Sequence, residues 1–337
     1  MPGLPPELRP PLELVLATPV ESIPQPGALT GGCPYEPKWD GFRVLVLVDT
    51  DKVGIWSRQG KDLTRQFPDL AAAAQEQIPS GCALDGEAVI WTADRLDCSA
   101  LQKRMTTSRP ARKELLRTRP ASFVAFDLLA VAGQDIRATP LRDRRTLLEQ
   151  LASGWSAPLN LSPATGDRDE ARRWVGDMAA GGLEGLVIKG AGQLYRGGER
   201  QWLKVKHRTS LDVVCAAVIG RRDQPADIVV GLPLDGRLRI VGRSAPLTAA
   251  AARSLGAQLA APAGVHPWPE EIARAAVDRF SKAKGPVQLT LVKPIVVEVS
   301  ADVAWSGSSF RHPLRYLRAR PELDPAEVEL PDHLIRF

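Results

Sequence analysis

The sequence predicts an α+β protein in two domains: antiparallel sheets flanked by helices over residues 1–207, then a small β-barrel over residues 208–337. Three observations carry this. A chain of 337 residues exceeds one ordinary domain and fits two. Up to residue 206, strand-like apolar runs bounded by Gly, Asp and Pro are interspersed with stretches of helical periodicity. Beyond His207, short strands separated by turn signals take over.

Residues 1 to 30 are rich in proline and read as an extended lead-in over a domain, with Leu12, Leu14 and Leu16 as anchors. Tyr35-Glu36-Pro37-Lys38-Trp39-Asp40-Gly41-Phe42-Arg43 follows, and the apolar run Val44 to Val48 comes at once after it. An Asp-Gly step between two strands is a hairpin signal, so by itself this stretch predicts strand, turn, strand. Its other reading puts Lys38 at a strand end, held with Asp40 and Arg43 at the mouth of a pocket. Val53 to Trp56 makes a third strand, ending in Ser57-Arg58-Gln59-Gly60. Thr64 is suited to cap a helix through Gln77.

Cys82 to Trp91 is a strand carrying Asp85-Gly86-Glu87, and Ser122 to Ala130 a buried strand containing Phe123–Leu129. Leu141–Leu151 and Asp169–Met178 have helical spacing. Glu184-Gly185-Leu186-Val187-Ile188-Lys189 is a strand entered through Gly181-Gly182. Trp202-Leu203-Lys204-Val205-Lys206 is another, with both lysines on one face. After the pattern changes, strands are expected at Leu211–Ile219, Ile228–Leu234 and Leu238–Val241, a helix at Ala249–Leu259, and one or two strands within Val287–Val299. That content suits a barrel of the oligonucleotide-binding (OB) type, with a hinge at His207–Ser210.

Hydrophobic residues make up 44% of the chain, enough for real cores, which excludes a disordered protein. A net charge of +5 biases it toward a polyanionic partner. Most basic residues are arginine, and four of the eleven lysines (Lys38, Lys189, Lys204, Lys206) fall inside the stretches just quoted. A nucleophile must be able to lose its proton, which arginine does not do. Cys33, Cys82, Cys98 and Cys215 stand singly, with no ligand spacing, and read as free thiols of a reducing compartment rather than a zinc site. No signal pattern and no apolar run of spanning length occurs, so an intracellular protein without a membrane partner is expected.

The spacing Lys38-x-Asp40-Gly41-x-Arg43 resembles the nucleophile motif of covalent nucleotidyltransferases, which comprise DNA ligases, RNA ligases and capping enzymes. Ser57–Gly60, Asp85–Glu87, Phe123–Leu129, Glu184–Lys189 and Lys204–Lys206 follow in the order found in ATP-dependent DNA ligases. Over residues 14 to 320 the chain is similar to the compact actinobacterial ligase C type. The resemblance implies a nucleotidyltransferase (adenylation) domain followed by an OB-fold domain, and ATP as cosubstrate. It also implies an AMP bonded covalently to Lys38, with magnesium or manganese, and the sealing of nicks. Lys38, Asp40, Lys204 and Lys206 would be catalytic. Glu36, Lys38, Arg43, Arg58, Glu87, Phe126, Val187, Glu184, Lys204 and Lys206 would hold the nucleotide, and Glu184 and Asp40 the metal. Because Lys38 must attack as a neutral amine, the cations around it are expected to lower its pKa.

DNA contacts are expected from Arg43, Arg58, Arg104, Arg109 and Arg112, the last three in a stretch from Arg95 to Arg119 with eight basic and two acidic residues. The family's C-terminal Arg-x-Asp-Lys motif has no full match. Arg311, Arg318 and Arg320 are the candidates for orienting pyrophosphate. With no separate DNA-binding domain ahead of Lys38, the two domains are expected to close on nicked duplex DNA as a clamp. The resemblance further implies a monomer in the bacterial cytoplasm, at the nucleoid, acting in repair beside a primase-polymerase or other repair factors. The other readings are an RNA ligase, a GTP-dependent capping-type enzyme, or a non-catalytic nucleic-acid-binding protein. An NAD-dependent ligase is disfavoured by the short stretch before Lys38 and the absence of zinc cysteines.

Overall fold

Val44, Val46 and Val48 of the Phe42–Val48 strand enter one apolar core, while Leu45 and Leu47 enter another. Side chains alternate across a strand, so an unbroken apolar run is what a strand covered on both faces requires. The strand is an inner one of the main sheet in a computed structural model that describes residues 3–93, 95–177, 181–206, 208–277, 285–302, 305–306 and 309–331. The chain separates into two units, Met1–His207 and Arg208–Phe337.

In the first unit the main sheet runs Val53–Ser57, Phe42–Val48, Cys82–Thr92, Ala121–Val131, Gln134–Asp135, all antiparallel; Leu159–Leu161 adds in parallel to Ala121–Val131. Helices Pro68–Gln77 and Leu141–Ala152 cover one face through Leu70, Ala74 and Leu148. The other face is covered by Leu4, Leu8, Leu14 and Val15 of the proline-rich lead-in, with Tyr195 and Trp202. The first of these helices begins later than a Thr64 cap predicts. Pro68 occupies its first turn, where a preset φ and a missing N–H suit it. The Thr64 hydroxyl instead accepts the Ile55 N–H at 3.0 Å.

A smaller sheet has the order Ala17–Pro19, Trp202–Lys206, Gly185–Ile188, Tyr35–Pro37, with its first pair parallel. The register sets Val187 opposite Glu36 on one side and Lys204 on the other. The hairpin predicted at Asp40-Gly41 does not form: Tyr35–Pro37 pairs in the small sheet and Phe42–Val48 in the main one. The motif is the crossover between two sheets. Glycine is needed there because a Cβ on Gly41 would lie 2.2 Å from the Ala88 carbonyl oxygen.

In the second unit the sheet order is Arg237–Arg243, Gln224–Leu234, Arg208–Arg221, Thr290–Asp302, Arg315–Ala319, antiparallel throughout. Register shifts at Cys215/Ala217, Val230/Gly231 and Glu298/Val299 bend the strands. The two edges then meet, with Leu314 N–H donating to Arg243 O at 2.9 Å and Ala245 N–H to Leu314 O at 2.7 Å. The result is a curled, OB-like sheet around Val213, Cys215, Ile228, Val230, Val297 and Val299, with Leu255 of helix Ala249–Gly256 added. Of the expected hinge, His207 lies outside the described residues, and residues 208–210 already pair with Asp302, Ala301 and Ser300. Cys33, Cys82, Cys98 and Cys215 are free thiols.

Candidate active site

Lys38 lies one residue past the Tyr35–Pro37 strand but still in its ladder. Its N–H donates to Gly185 O at 2.8 Å, and its carbonyl accepts the Glu184 N–H at 3.0 Å. The backbone being pinned this way, the Lys38 ammonium donates to the Glu184 carboxylate, with side chains 21% and 6% exposed. Lys206 reaches the same carboxylate oxygen at 3.7 Å. Burial pulls the Lys38 pKa down, but the charges of Glu184, Glu87 and Asp40 outweigh it and hold the amine above its ordinary value. This corrects the expectation of a depressed pKa: the group bonded to the amine is an anion. Lys204 does move down, through burial and then the charges of Lys38 and Lys206.

A cavity of about 610 Å³ opens beside Lys38. Glu36, Lys38, Arg43, Arg58, Glu87, Phe126, Val187 and Lys204 line it, as do Glu13, Trp39, Lys189, Arg200 and Trp202. Glu184 and Lys206 join this group through their ion pairs with one another and with Lys38. The Asp40 charge is felt by both Lys38 and Glu87. Phe126 meets Trp202 edge to face, with centroids 6.0 Å apart.

Arg43 is held as a fork. It donates to both oxygens of Asp85 at 2.9 and 2.6 Å and to Val15 O at 2.5 Å. Tyr195 donates its hydroxyl to the same Asp85 at 2.7 Å. Asp85 is fully buried, and its charge raises the Arg43 pKa against the opposing effect of burial. Glu87, opposite Arg43 in the register, is pushed up to about 8, mainly by burial. At neutral pH it therefore has a proton to donate. Asp127 is buried against Arg144 at 2.8 and 2.9 Å and serves the scaffold.

A buried pair closes the cavity wall. Lys189, 1% exposed, places Nζ 2.8 and 3.0 Å from the two oxygens of Glu36 and 2.7 Å from Phe126 O. The same ammonium lies 4.7 Å from the Phe126 ring centroid and 4.6 Å from that of Trp202.

Of the expected phosphate contacts, the structure removes Arg104. Arg104 is fully buried, bonded to Asp69 at 2.7 Å and to Arg119 O at 2.6 Å, so it offers no charge to a polyanion. Arg112 donates to the carbonyls of Arg104, Arg65 and Thr107. Arg117 pairs with Glu114, and Arg119 with Asp97. The stretch makes helices Cys98–Thr106 and Arg109–Thr118, whose arginines mostly tie it together; the Arg109 side chain lies outside the described residues. In the second unit Arg318 is paired with Glu298 at 2.7 Å and Arg320 with Glu322 at 2.5 Å, while Arg311 is half-buried.

Trp202 and the partner of Lys189 were missed by sequence reasoning. A signal for Trp202 existed, because the alternation that aligns Lys204 with Lys206 also puts Trp202 on their face. The Glu36–Lys189 contact joins residues 153 apart and left no local trace. As a donor set for a divalent cation, Glu184 and Asp40 offer hard carboxylate oxygens beside the cavity. Among the described residues no three His, Cys, Asp or Glu side chains group to hold a metal. Magnesium is commonly bound by one or two carboxylates with water and phosphate oxygens, so these residues fit it.

A family model described as "ATP dependent DNA ligase domain" matches residues 15–206. DNA ligase C of Mycobacterium tuberculosis is 34% identical over 349 residues, covering 96% of this chain and 95% of that protein. DNA ligase C2 of Mycolicibacterium smegmatis is 33% identical over 347 residues, covering 96% of each. Among solved structures, a mycobacterial DNA ligase D complexed with ATP and MES aligns with a TM-score of 0.51 at 27% identity, covering 94% of this chain and 97% of that one.

Proposed function

The chain belongs to the ATP-dependent DNA ligase family, and on that premise we propose that Lys38 is the residue that carries AMP. The supporting observation is the position of its amine: at the rim of a cavity lined by Lys204, Arg58, Glu36, Phe126 and Val187, with a backbone fastened to Glu184 and Gly185. The deprotonated amine attacks the α-phosphorus of ATP. A P–N bond forms, the bond from the α-phosphorus to the bridging oxygen breaks, and pyrophosphate leaves. An oxygen of the 5′-phosphate at a nick then takes the AMP, and Lys38 is regenerated. Attack by the 3′-hydroxyl on that 5′-phosphorus closes the strand and releases AMP.

Lys204 and Lys206 supply fixed positive charge for the phosphate oxygens, where preformed donors are worth most. Phe126 and Val187 take the faces of the adenine, Glu36 its amino edge, and Glu87 a ribose hydroxyl. Arg43, held rigid by Asp85, and Arg58, exposed at the rim, meet ribose or the 5′-phosphate of the nick. Glu184 and Asp40 would hold the divalent cation, which would supply positive charge to the phosphate oxygens. The substrate is nicked duplex DNA, and the setting DNA repair.

Incubation with ATP labelled in the α-phosphate, followed by denaturing electrophoresis and mass spectrometry, tests the assignment. An adenylate on the peptide containing Lys38 is expected. Label on another residue, or label with GTP in preference to ATP, would overturn it.

A further inference from the structure

We infer that Lys189 is a positioning residue for nucleotide choice: it holds Glu36 as a fixed hydrogen-bond acceptor, so that the base pocket takes 6-amino purines over 6-oxo purines. The inference rests on the reading above that Glu36 meets the amino edge of the base. It goes further in naming what makes Glu36 selective.

An ionised carboxylate only accepts hydrogen bonds, whereas a protonated one also donates. Adenine presents a donating amino group at C6, and guanine or hypoxanthine an accepting oxygen. A site that discriminates between them must therefore keep its carboxylate ionised and still. Glu36 is 3% exposed, and burial pushes its carboxyl up, toward the form that would tolerate a 6-oxo base. Lys189 reduces this rise, which remains a net one, with its charge and hydrogen bond; Arg145 acts in the same sense as Lys189 and Asp127 against it. It is the contact of Nζ with both carboxylate oxygens that favours the ionised form. Each Glu36 oxygen retains capacity after accepting from Lys189, since a carboxylate oxygen accepts two bonds.

Geometry adds a second reason. The Lys189 ammonium also donates to the backbone oxygen of Phe126 at 2.7 Å and lies against the Phe126 and Trp202 rings. One cation thus ties the acceptor on the Tyr35–Pro37 strand to the ring proposed to stack on the base. Although Lys189 belongs to the cavity wall, it is 1% exposed and its ammonium is bonded to Glu36 and Phe126, so its influence on the base is argued through Glu36.

The test compares covalent nucleotide transfer to the protein from ATP and from inosine triphosphate, which differ at C6 in just this way. The variants are Lys189→Met, Lys189→Arg and the double change Glu36→Gln with Lys189→Met. The double change leaves no unpaired buried charge and so serves if Lys189→Met fails to fold. In Lys189→Met and in the double variant, the wild-type preference for ATP should fall about tenfold or more, with partial retention in Lys189→Arg. A merely structural lysine would slow both nucleotides alike, so an unchanged ratio in Lys189→Met and Lys189→Arg overturns this inference alone. An unchanged ratio in the double variant overturns the placing of Glu36 on the amino edge together with it. Absence of any wild-type adduct from either nucleotide overturns the nucleotide-pocket reading and this inference with it.

Discussion

Lys38 donates its ammonium proton to the carboxylate of Glu184, and the backbone N–H of Glu184 donates to the carbonyl of Lys38. Two residues 146 positions apart are thus joined twice. The pairing keeps the amine protonated, above its ordinary pKa despite burial. Glu184→Gln should therefore release it. With the anion gone, burial pulls the amine downward, and the neutral fraction at mildly alkaline pH grows. In metal-free buffer, labelling of Lys38 by an amine-reactive reagent should quicken by about threefold to tenfold, one pKa unit being a factor of ten. Peptide mapping at several pH values checks this, and a slower reaction would contradict the assigned balance.

Lys38→Ala should abolish adenylation while leaving the protein folded, with a stability change on the order of 1 kcal/mol, because the pair is partly solvated and Glu184 retains Lys206. Sealing of a nick already carrying AMP on its 5′-phosphate needs no lysyl bond and should persist. Loss of that reaction as well would show that the substitution damages more than the nucleophile.

Arg104→Met should cost about 3 kcal/mol, since it strands Asp69 beside a buried position. It should leave the dependence of DNA affinity on salt unchanged, because the guanidinium is enclosed and replaces no counterion. Denaturant titration and binding isotherms at several salt concentrations measure the two effects separately. A shallower salt slope would restore Arg104 to the DNA surface.

Glu87 carries a pH signature. Its carboxyl titrates near 8 when folded and near 4.5 when not. Between these values the folded state binds the extra proton, so stability falls as pH rises from about 4.5 to about 8 and levels off above that. Glu87→Gln should flatten this slope, by an amount on the order of 2 kcal/mol after allowance for partial exposure. Unfolding curves for both proteins across that range provide the comparison; parallel slopes would refute the shift.

Local signals carried far in this chain. The helices Leu141–Ala152 and Arg168–Asp177 and the strand Arg237–Arg243 lie close to where periodicity and turn residues put them, because each is decided by neighbours in sequence. The spacing of Lys38, Asp40 and Arg43, with Glu184, Lys204 and Lys206 far downstream, carries the resemblance to the nucleotidyltransferases, and it is that resemblance that implies a nucleotide site. Where the sequence misled, it was through features that read the same in two contexts. Asp40-Gly41 has the composition of a hairpin turn, yet its flanking strands were claimed by different sheets. Arg104 has the composition of a phosphate contact, yet it is enclosed and bonded to Asp69.

By itself, the sequence determined which residue types are available for phosphoryl chemistry, how they are spaced, and where most strands and helices run, since these depend on contacts within a few residues. Only the tertiary structure decided the charge around each group: that Lys38 faces Glu184, that Asp85 locks Arg43, and that Lys189 stands behind Glu36. Burial and Coulomb interactions depend on distance through space, and chain positions 146, 42 and 153 apart become neighbours only once the sheets have formed.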